Sequence, residues 1–538
     1  MASAHSNFGF FTVQRVTTAT AALLFCTLCL LPLAYMAWLA LGTGSIESTI
    51  SHVSQLASDP RVPILLRNSL ILGLGTALVA TAIGVPIGFL LARAPLVAKR
   101  WLRLCLIVPL VLPPYFLALA WSYFTGHAGL ASRVLGFHSL SEWTYTLPAA
   151  ILVLGVSFFP ISMLATEAAS RRVEAQLEEA ALLHAFPRRV FWRITFPLVA
   201  PAVVAAALLI FVLALAEFGV PGLLRVNVFT TEILTAFAAF YDFARATLLA
   251  FPLLLIALLA AVPTKWLLGE RLLTGRRSLR VGLPLRLGPW RNVANAGVIG
   301  AGGLLVLLPI AILTAEVASV TDLRAALVSS RAAIVNSLLL SILAASVITA
   351  LGFFVGYARA RARSARAGWA DTIFIIAFAA PSTVVGVGLI GLWNRAGWPG
   401  EIYSSPAIVV LAYLARFLPV VALILAAGVR QVPHAHEEAA YVSGAGWLRT
   451  VVKITLPQTL PVIAAAWVVV FIFCLGELGA TILLAPPQLP MLPTHVYTLI
   501  ANAPPSQIAS LVLTQAGIVL LPLVVFGMFV REPKERPS

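Results

Sequence analysis

Residues 68–93 read NSLILGLGTALVATAIGVPIGFLLAR and residues 336–361 read NSLLLSILAASVITALGFFVGYARAR, identical at 12 of 26 positions with an offset of 268. Each stretch is almost wholly apolar, is longer than the roughly 20 residues needed to cross about 30 Å of hydrocarbon, and leads into a basic loop. A membrane helix that occurs twice marks an internal duplication, and the duplication decides the fold. Later landmarks return in the same order. EEAALLHAFPRRVFWRITFP at 178–197 answers EEAAYVSGAGWLRTVVKITLP at 437–457, and LAEFG at 215–219 answers LGELG at 475–479.

Composition agrees with a lipid solvent. Of 538 residues 60% are hydrophobic and only 10% charged, with a mean hydropathy of +0.98, far more apolar side chain than a water-soluble core could hide. Charge-poor runs of spanning length fall near 20–42, 66–91, 104–124, 146–166, 198–220, 246–266, 295–317, 335–358, 372–393, 406–428, 459–481 and 507–530. They are too long and too continuously apolar for barrel strands. The sequence therefore predicts an all-α polytopic membrane protein of about 12 transmembrane helices, built as two tandem six-helix repeats. An even helix count gives both copies the same orientation, a parallel duplication about an axis along the membrane normal. The expected divisions are a cytoplasmic N-terminus 1–19, a first permease domain 20–266, a cytoplasmic linker 267–293, a second permease domain 294–530 and a cytoplasmic tail 531–538. The apolar stretch from Ala21 to Leu41 exceeds a signal-peptide core and reads as a membrane anchor.

The net charge of +16 and pI near 10.4 do not point to nucleic acid, because the basic residues are sorted by side. With the N-terminus inside, 27 of the 36 Lys and Arg fall on cytoplasmic segments, which is the positive-inside bias and places both termini in the cytoplasm. Cys26, Cys29, Cys105 and Cys474 lie in or beside apolar runs. No disulfide framework is implied, and the C-x-x-C at 26–29 reads as helix packing.

The functional signal lies in the two polar stretches of about thirty residues between the fourth and fifth helices of each half. Each opens with Glu-Glu-Ala-Ala and closes with Ile-Thr-Phe/Leu-Pro, the proline falling where a new helix can start. In the second copy Gly444 and Gly446 permit the turn that joins two short helices at an angle. The product is a helix, a turn and a helix along the cytoplasmic face, acidic at its start and basic on its second limb, a docking surface. Glu438, Ala439, Ala440, Gly444, Ile454 and Pro457 resemble the EAA motif of the permeases of binding-protein-dependent ABC importers. The first copy, led by Glu178 as the second is by Glu437, has Glu179, Ala180, Ala181, Ile194 and Pro197; it is one residue shorter and carries Ala185 where the glycine is expected. The resemblance implies coupling helices seated on two copies of a cytoplasmic ABC ATPase. It also implies a periplasmic or lipid-anchored substrate-binding protein, and a place in the bacterial inner membrane. The fusion of two halves, with LAEFGVPGLL and LGELGATILL, resembles the ferric-iron branch, itself similar to thiamine and phosphonate permeases. No G-x-x-x-x-G-K-[ST] occurs, so the ATP and Mg belong to the partner ATPase; no cofactor is expected on this chain, and it is not an enzyme. A secondary transporter would also show repeats and buried carboxylates, but it needs no paired EAA segments and would offer broken membrane helices. A membrane scaffold is the remaining class.

Glu217 and Glu477 occupy matching places near the end of the fifth helix of each half. An intramembrane carboxylate faces an interior, a partner or water; the pair either lines a cation path or caps backbone in a re-entrant loop. Arg416 has Ser157 as its counterpart and can pair with Glu477 or Glu401, or reach the interface. His434 and His436, in HAHEE, read either as a metal site or as a helix cap or ATPase contact.

Overall fold

The computed structural model describes residues 16–17, 19–40, 47, 50–51, 54, 58–126, 129–136, 140–273, 283, 288–317, 319–362 and 367–529. Most of the N-terminal segment 1–19, the middle of the linker 267–293 and the tail 531–538 lie outside these residues. Among the described residues every regular element is a helix. Ten of the helices among the described residues are long and apolar enough to cross a membrane, or up to 12 spans when each of two bent pairs counts as one.

The first half runs α1 (Ala19–Leu39), α2 (Val62–Arg93), α3 (Lys99–Val111), α4 (Pro114–Thr125), α5 (Leu147–Ser170), α6 (Ala175–Leu182), α7 (Pro187–Ala216), α8 (Gly219–Leu223), α9 (Phe229–Ala238) and α10 (Phe243–Leu273). The second repeats the order as α11 (Gly288–Glu316), α12 (Arg331–Arg361), α13 (Ala367–Ala379), α14 (Ser382–Trp393), α15 (Trp398–Tyr403), α16 (Ala407–Arg430), α17 (His434–Val442), α18 (Trp447–Gly476), α19 (Thr481–Leu484), α20 (Leu492–Leu499) and α21 (Pro505–Phe529). Between α4 and α5 the first half carries two further short helices, Leu130–Leu135 and Leu140–Thr144, where the second has α15, and a further helix, Val320–Ser329, precedes α12.

The runs expected as single helices at 104–124 and 372–393 are each broken, bending by 91° between α3 and α4 and by 93° between α13 and α14. Proline is the cause. Leu112 is extended ahead of Pro113 and Pro114, and Pro381 is itself extended ahead of α14, as expected where a pyrrolidine ring disfavours helix in the preceding residue and removes an N–H donor. The fifth-helix runs also shift: α7 and α18 begin earlier than expected and stop just short of Glu217 and Glu477.

The repeated stretch, 68–93 and 336–361, lies in α2 and α12, and each makes the most extensive packing of its half, on α5 and α16 respectively. Glycines set the closeness. A Cβ on Gly84 would sit 2.5 Å from Phe159 O, and one on Gly88 2.5 Å from Met163 O. The repeat counterparts behave alike, with Gly352 against Val421 at 2.7 Å and Gly356 against Ala422 O at 2.8 Å. These are two G-x-x-x-G crossings, in which the missing side chains let backbones touch and dispersion accumulate without a hydrophobic driving force.

The first helix of each half packs on the other half. α1 lies on α14 and α16, with the Cys29 thiol 3.8 Å from Leu414 O, and α11 lies on α3 and α4. Both contain one π-helical turn, at Cys26–Leu30 and Gly303–Leu307, directly before a shared Leu-Pro. The halves are thus interlocked rather than merely side by side.

Candidate functional site

Each Glu-Glu-Ala-Ala segment is held to its own half by a buried ion pair. Glu178, in the first turn of α6, accepts from Arg93 Nη1 at 2.5 Å and Thr195 Oγ1 at 2.5 Å on one oxygen, and from the Leu283 N–H at 3.1 Å on the other. Arg93 also donates to Ser170 O at 2.9 Å. In the second half Glu437 accepts from Arg361 Nη2 at 2.6 Å, Arg361 Nε at 3.1 Å, Thr455 Oγ1 at 2.8 Å and Tyr357 Oη at 3.3 Å, while Arg361 reaches Val432 O at 3.2 Å. Several donors per carboxylate are what a desolvated pair requires. An acid in the first helical turn is further favoured by the helix dipole.

The threonines arrive by matching local structure. α7 and α18 open with π-helical turns at Phe191–Thr195 and Val451–Thr455, a wide turn that often marks functional positions. Thr195 and Thr455 close these turns and are buried against the glutamates. Each latch therefore joins three elements: the C-terminal end of α2 or α12, the short helix α6 or α17, and the start of α7 or α18.

Of the acidic pair opening each segment, the first member turns inward and the second outward. Glu178 and Glu437 are buried, so they form no part of a docking face, whereas Glu179 and Glu438 are exposed. So are Ala180 and Ala439, with Ala181 and Ala440 half-buried. The outer face also carries large apolar groups: Leu183 and Phe186 in the first segment, Val442 and Leu448 in the second. Gly444 has φ of +80° and ends α17, with the Ala445 N–H returning to Ala440 O at 3.0 Å. Ala185 needs no left-handed backbone, because the segment one residue shorter turns without one. Ile194 and Ile454 fall within the π turns, and Pro197 and Pro457 just after them. His434 and His436 are exposed on α17, and among the described residues no group of three or more His, Cys, Asp or Glu could hold a metal.

The second cluster lies where the halves meet. Glu217 and Glu477 are the extended residues directly after α7 and α18, and their carboxylates fold forward onto backbone: Glu217 accepts from Gly219 N–H at 2.9 Å and Glu477 from Ala480 N–H at 3.0 Å. Arg416 donates through Nε to Glu477 at 3.0 Å and through Nη1 to Ala380 O at 2.8 Å; it pairs with Glu477, not Glu401. The counterpart Ser157 donates back to Val153 O at 2.9 Å. Glu217 lies within electrostatic range of both Glu477 and Arg416, so the cluster holds two carboxylates and one guanidinium. Cross-half contacts close around it. Tyr115 donates across the halves to Gln515 at 2.5 Å, Gln515 donates within its own half to Leu475 O at 2.9 Å, and a Cβ on Gly219 would lie 3.4 Å from Leu478 of the other half.

Sequence reasoning missed Arg93, Arg361, Thr195 and Thr455 as latch residues. The signal was available, because both arginines are among the 12 positions identical between the repeats.

A twofold-repeated helical bundle with interlocked first helices, a charged cluster between the halves and a latched helix–turn–helix on one face of each half defines a multi-pass transport permease. The chain belongs to the family of binding-protein-dependent transport system inner membrane components, whose model matches residues 84–269 and again 348–532. It is similar to the Fe(3+)-transport system permease protein FbpB 2 of Haemophilus influenzae, 26% identical over 444 residues that cover 81% of this chain and 84% of that one. The ferric transport system permease protein FbpB of Actinobacillus pleuropneumoniae is 25% identical, covering 78% and 64%. A shorter match, 31% identical over 157 residues, reaches the molybdenum transport system permease protein ModB of Escherichia coli, covering 28% of this chain and 68% of that one.

Proposed function

We propose that this inner-membrane permease of an ABC importer carries ferric iron, delivered by an extracytoplasmic binding protein, and is driven by two copies of a separate cytoplasmic ATPase that hydrolyses ATP with Mg. Both termini lie in the cytoplasm in this reading, as the sorting of basic residues supports. The observation that carries the iron assignment is the extent of likeness: relatives named for ferric transport align over about four-fifths of the chain, against 28% for the molybdenum relative. Two carboxylates against one arginine between the halves suit a cation better than an anion. Thiamine and phosphonate are the alternative cargoes, and the second would meet repulsion at Glu217.

In the mechanism the outward-facing parts of α6 and α17, with Glu179, Glu438 and the exposed Leu183, Phe186, Val442 and Leu448, seat in the two ATPase subunits. ATP-driven closure of those subunits moves α6 and α17, and the Glu178–Arg93 and Glu437–Arg361 latches carry the movement to α2, α7, α12 and α18. The central cluster then opens on the side of the binding protein, and hydrolysis resets it. The test is reconstitution of the permease with its ATPase and binding protein in proteoliposomes, comparing labelled ferric iron, thiamine and phosphonate. ATP-dependent iron uptake that unlabelled thiamine and phosphonate do not compete away is the expected result. Uptake of either competitor in place of iron overturns the cargo assignment.

A further inference from the structure

A groove of about 290 Å³ opens between α1 and the α14–α15 corner, walled by Leu28, Leu31, Leu389, Leu392 and Leu411, with Trp398 and Arg395 at its mouth. It lies on the outer surface of the bundle, toward the end of α14 opposite the coupling segments. Trp393 and Trp398 meet edge to face there, with centroids 5.8 Å apart. Such amphipathic rings settle at the headgroup level of a bilayer.

The guanidinium of Arg395 is held but not neutralised. It donates to Tyr35 Oη and, through Nε, to Gly391 O at 3.2 Å, and it lies 5.1 Å from the centre of the Tyr35 ring. Among the described residues no carboxylate pairs with it. An arginine has five N–H donors in a planar fork, and these contacts leave the rest exposed. The pseudo-equivalent corner of the first half supplies an internal comparison. There the swapped helix α11 packs on α4, and its terminal Glu316 meets the nearby Arg133 at 2.5 Å. One corner of the duplicated fold thus carries its own counter-charge, and the other presents a pinned cation above an apolar slot.

We propose that this corner is a phospholipid site, with one acyl chain in the groove and the phosphate on the free edge of Arg395. A phosphate takes a guanidinium fork in bidentate fashion. Apolar walls beside an unneutralised cation fit an amphiphile with an anionic head and exclude both a neutral diglyceride and a free anion.

The test is native mass spectrometry of the full-length protein in detergent, titrated with phosphatidylglycerol, with a diacylglycerol of the same chains and with inorganic phosphate. The wild type is expected to retain one phosphatidylglycerol that neither diacylglycerol nor millimolar phosphate displaces. Arg395→Gln is expected to weaken retention by about tenfold or more, as loss of charge-assisted bonds implies. Leu31→Trp, which keeps the arginine but fills the slot from the exposed face of α1, is expected to weaken it as much, with thermal melting of each variant recorded as the check on folding. The proposal is overturned if both variants hold the lipid as the wild type does, if diacylglycerol binds equally well, or if phosphate competes it off.

Discussion

Replacing Glu437 by alanine strands Arg361. That guanidinium, with 3% of its side chain exposed, gives two hydrogen bonds to the Glu437 carboxylate, at 2.6 and 3.1 Å, while Thr455 and Tyr357 supply two more. Removing one member of such a pair costs about 3–5 kcal/mol, since the remaining charge keeps its desolvation penalty without its partner. Even about 3 kcal/mol moves the equilibrium between docked and undocked α17 by roughly a hundredfold. The exposed face with Glu438 is untouched, so an ATPase seated there as proposed is expected still to bind and turn over. In proteoliposomes holding the complete transporter, ATP hydrolysis is expected to continue while substrate carried per ATP falls about tenfold or more, as partial detachment of one of two levers implies. A second variant separates attachment from charge. Arg361→Met with Glu437→Leu replaces the pair by apolar groups of similar size, which is often neutral for stability, and should recover most of the melting temperature and much of the coupling. The cycle of single and double variants isolates the pair's own interaction. A wild-type ratio of transport to hydrolysis in Glu437→Ala, or a double variant no better than the single, would refute the reasoning.

Four further outcomes follow from the same geometry. Gly444→Ala forces a side chain into φ of +80° and should cost about 1–2 kcal/mol, with slower ATP-coupled uptake, whereas Ala185→Gly, at ordinary backbone, should change melting by less than about 1 kcal/mol. Arg416→Met leaves the Glu477 carboxylate buried and unpaired and should lower stability by about 3–5 kcal/mol, most of it regained when Glu477→Gln is added; differential scanning in detergent reads both. Gly88→Ala drives a methyl to 2.5 Å from Met163 O and should cost about 1–3 kcal/mol, while Gly300→Ala on α11, with open space around it, should be neutral or stabilising. His495 accepts or donates with Ser330 at 3.0 Å, and burial pushes its pKa below the ordinary 6.5. Its folded pKa lies below its unfolded one, so the unfolded chain binds more protons and stability drains as pH falls from about 6.5; melting scanned from pH 7.5 to 5.5 should lose part of its slope in His495→Gln.

The duplication, the helical fold, the parallel halves and the helix–turn–helix segments were legible because each is written in runs of residues: long apolar stretches, basic loops, and a motif with fixed spacing. What the sequence hid depends on side-chain direction and on single prolines. Glu178 and Glu179 are neighbours in the chain, yet a helical step of about 100° per residue sends one inward to Arg93 and the other to solvent. The spans at 104–124 and 372–393 looked continuous by hydropathy, which weighs Pro113, Pro114 and Pro381 lightly and ignores the N–H groups they lack. Broken helices accordingly do not separate this permease from a secondary transporter. The swap of α1 and α11 was also out of reach, because both halves offer equally apolar surfaces. Nothing in a stretch of leucines says which neighbour it covers.

The identical positions of the opening stretch acquire a single explanation once their contacts are known. At one end of α2, Asn68 donates to Asn227 O at 3.0 Å and Ser69 Oγ accepts the Phe229 N–H at 3.1 Å, fixing the start of α9. On α12, Asn336 donates to Pro490 O at 3.1 Å and Ser337 accepts the Leu492 N–H at 2.6 Å, fixing the start of α20. In the middle, the paired glycines bring the helix against α5 or α16; at the other end, Arg93 or Arg361 grips the coupling segment. Each helix is therefore a strut with a clamp at both ends and a close crossing between. A displacement of α6 or α17 cannot be absorbed within the strut without breaking a buried ion pair or separating two backbones in contact, so it must appear at α9 or α20. Because α1 and α11 are packed on the opposite halves, the same displacement also drags a helix of the neighbouring repeat. Coupling between the two halves then follows from packing alone, with no need for the central charge cluster of Glu217, Glu477 and Arg416 to transmit it.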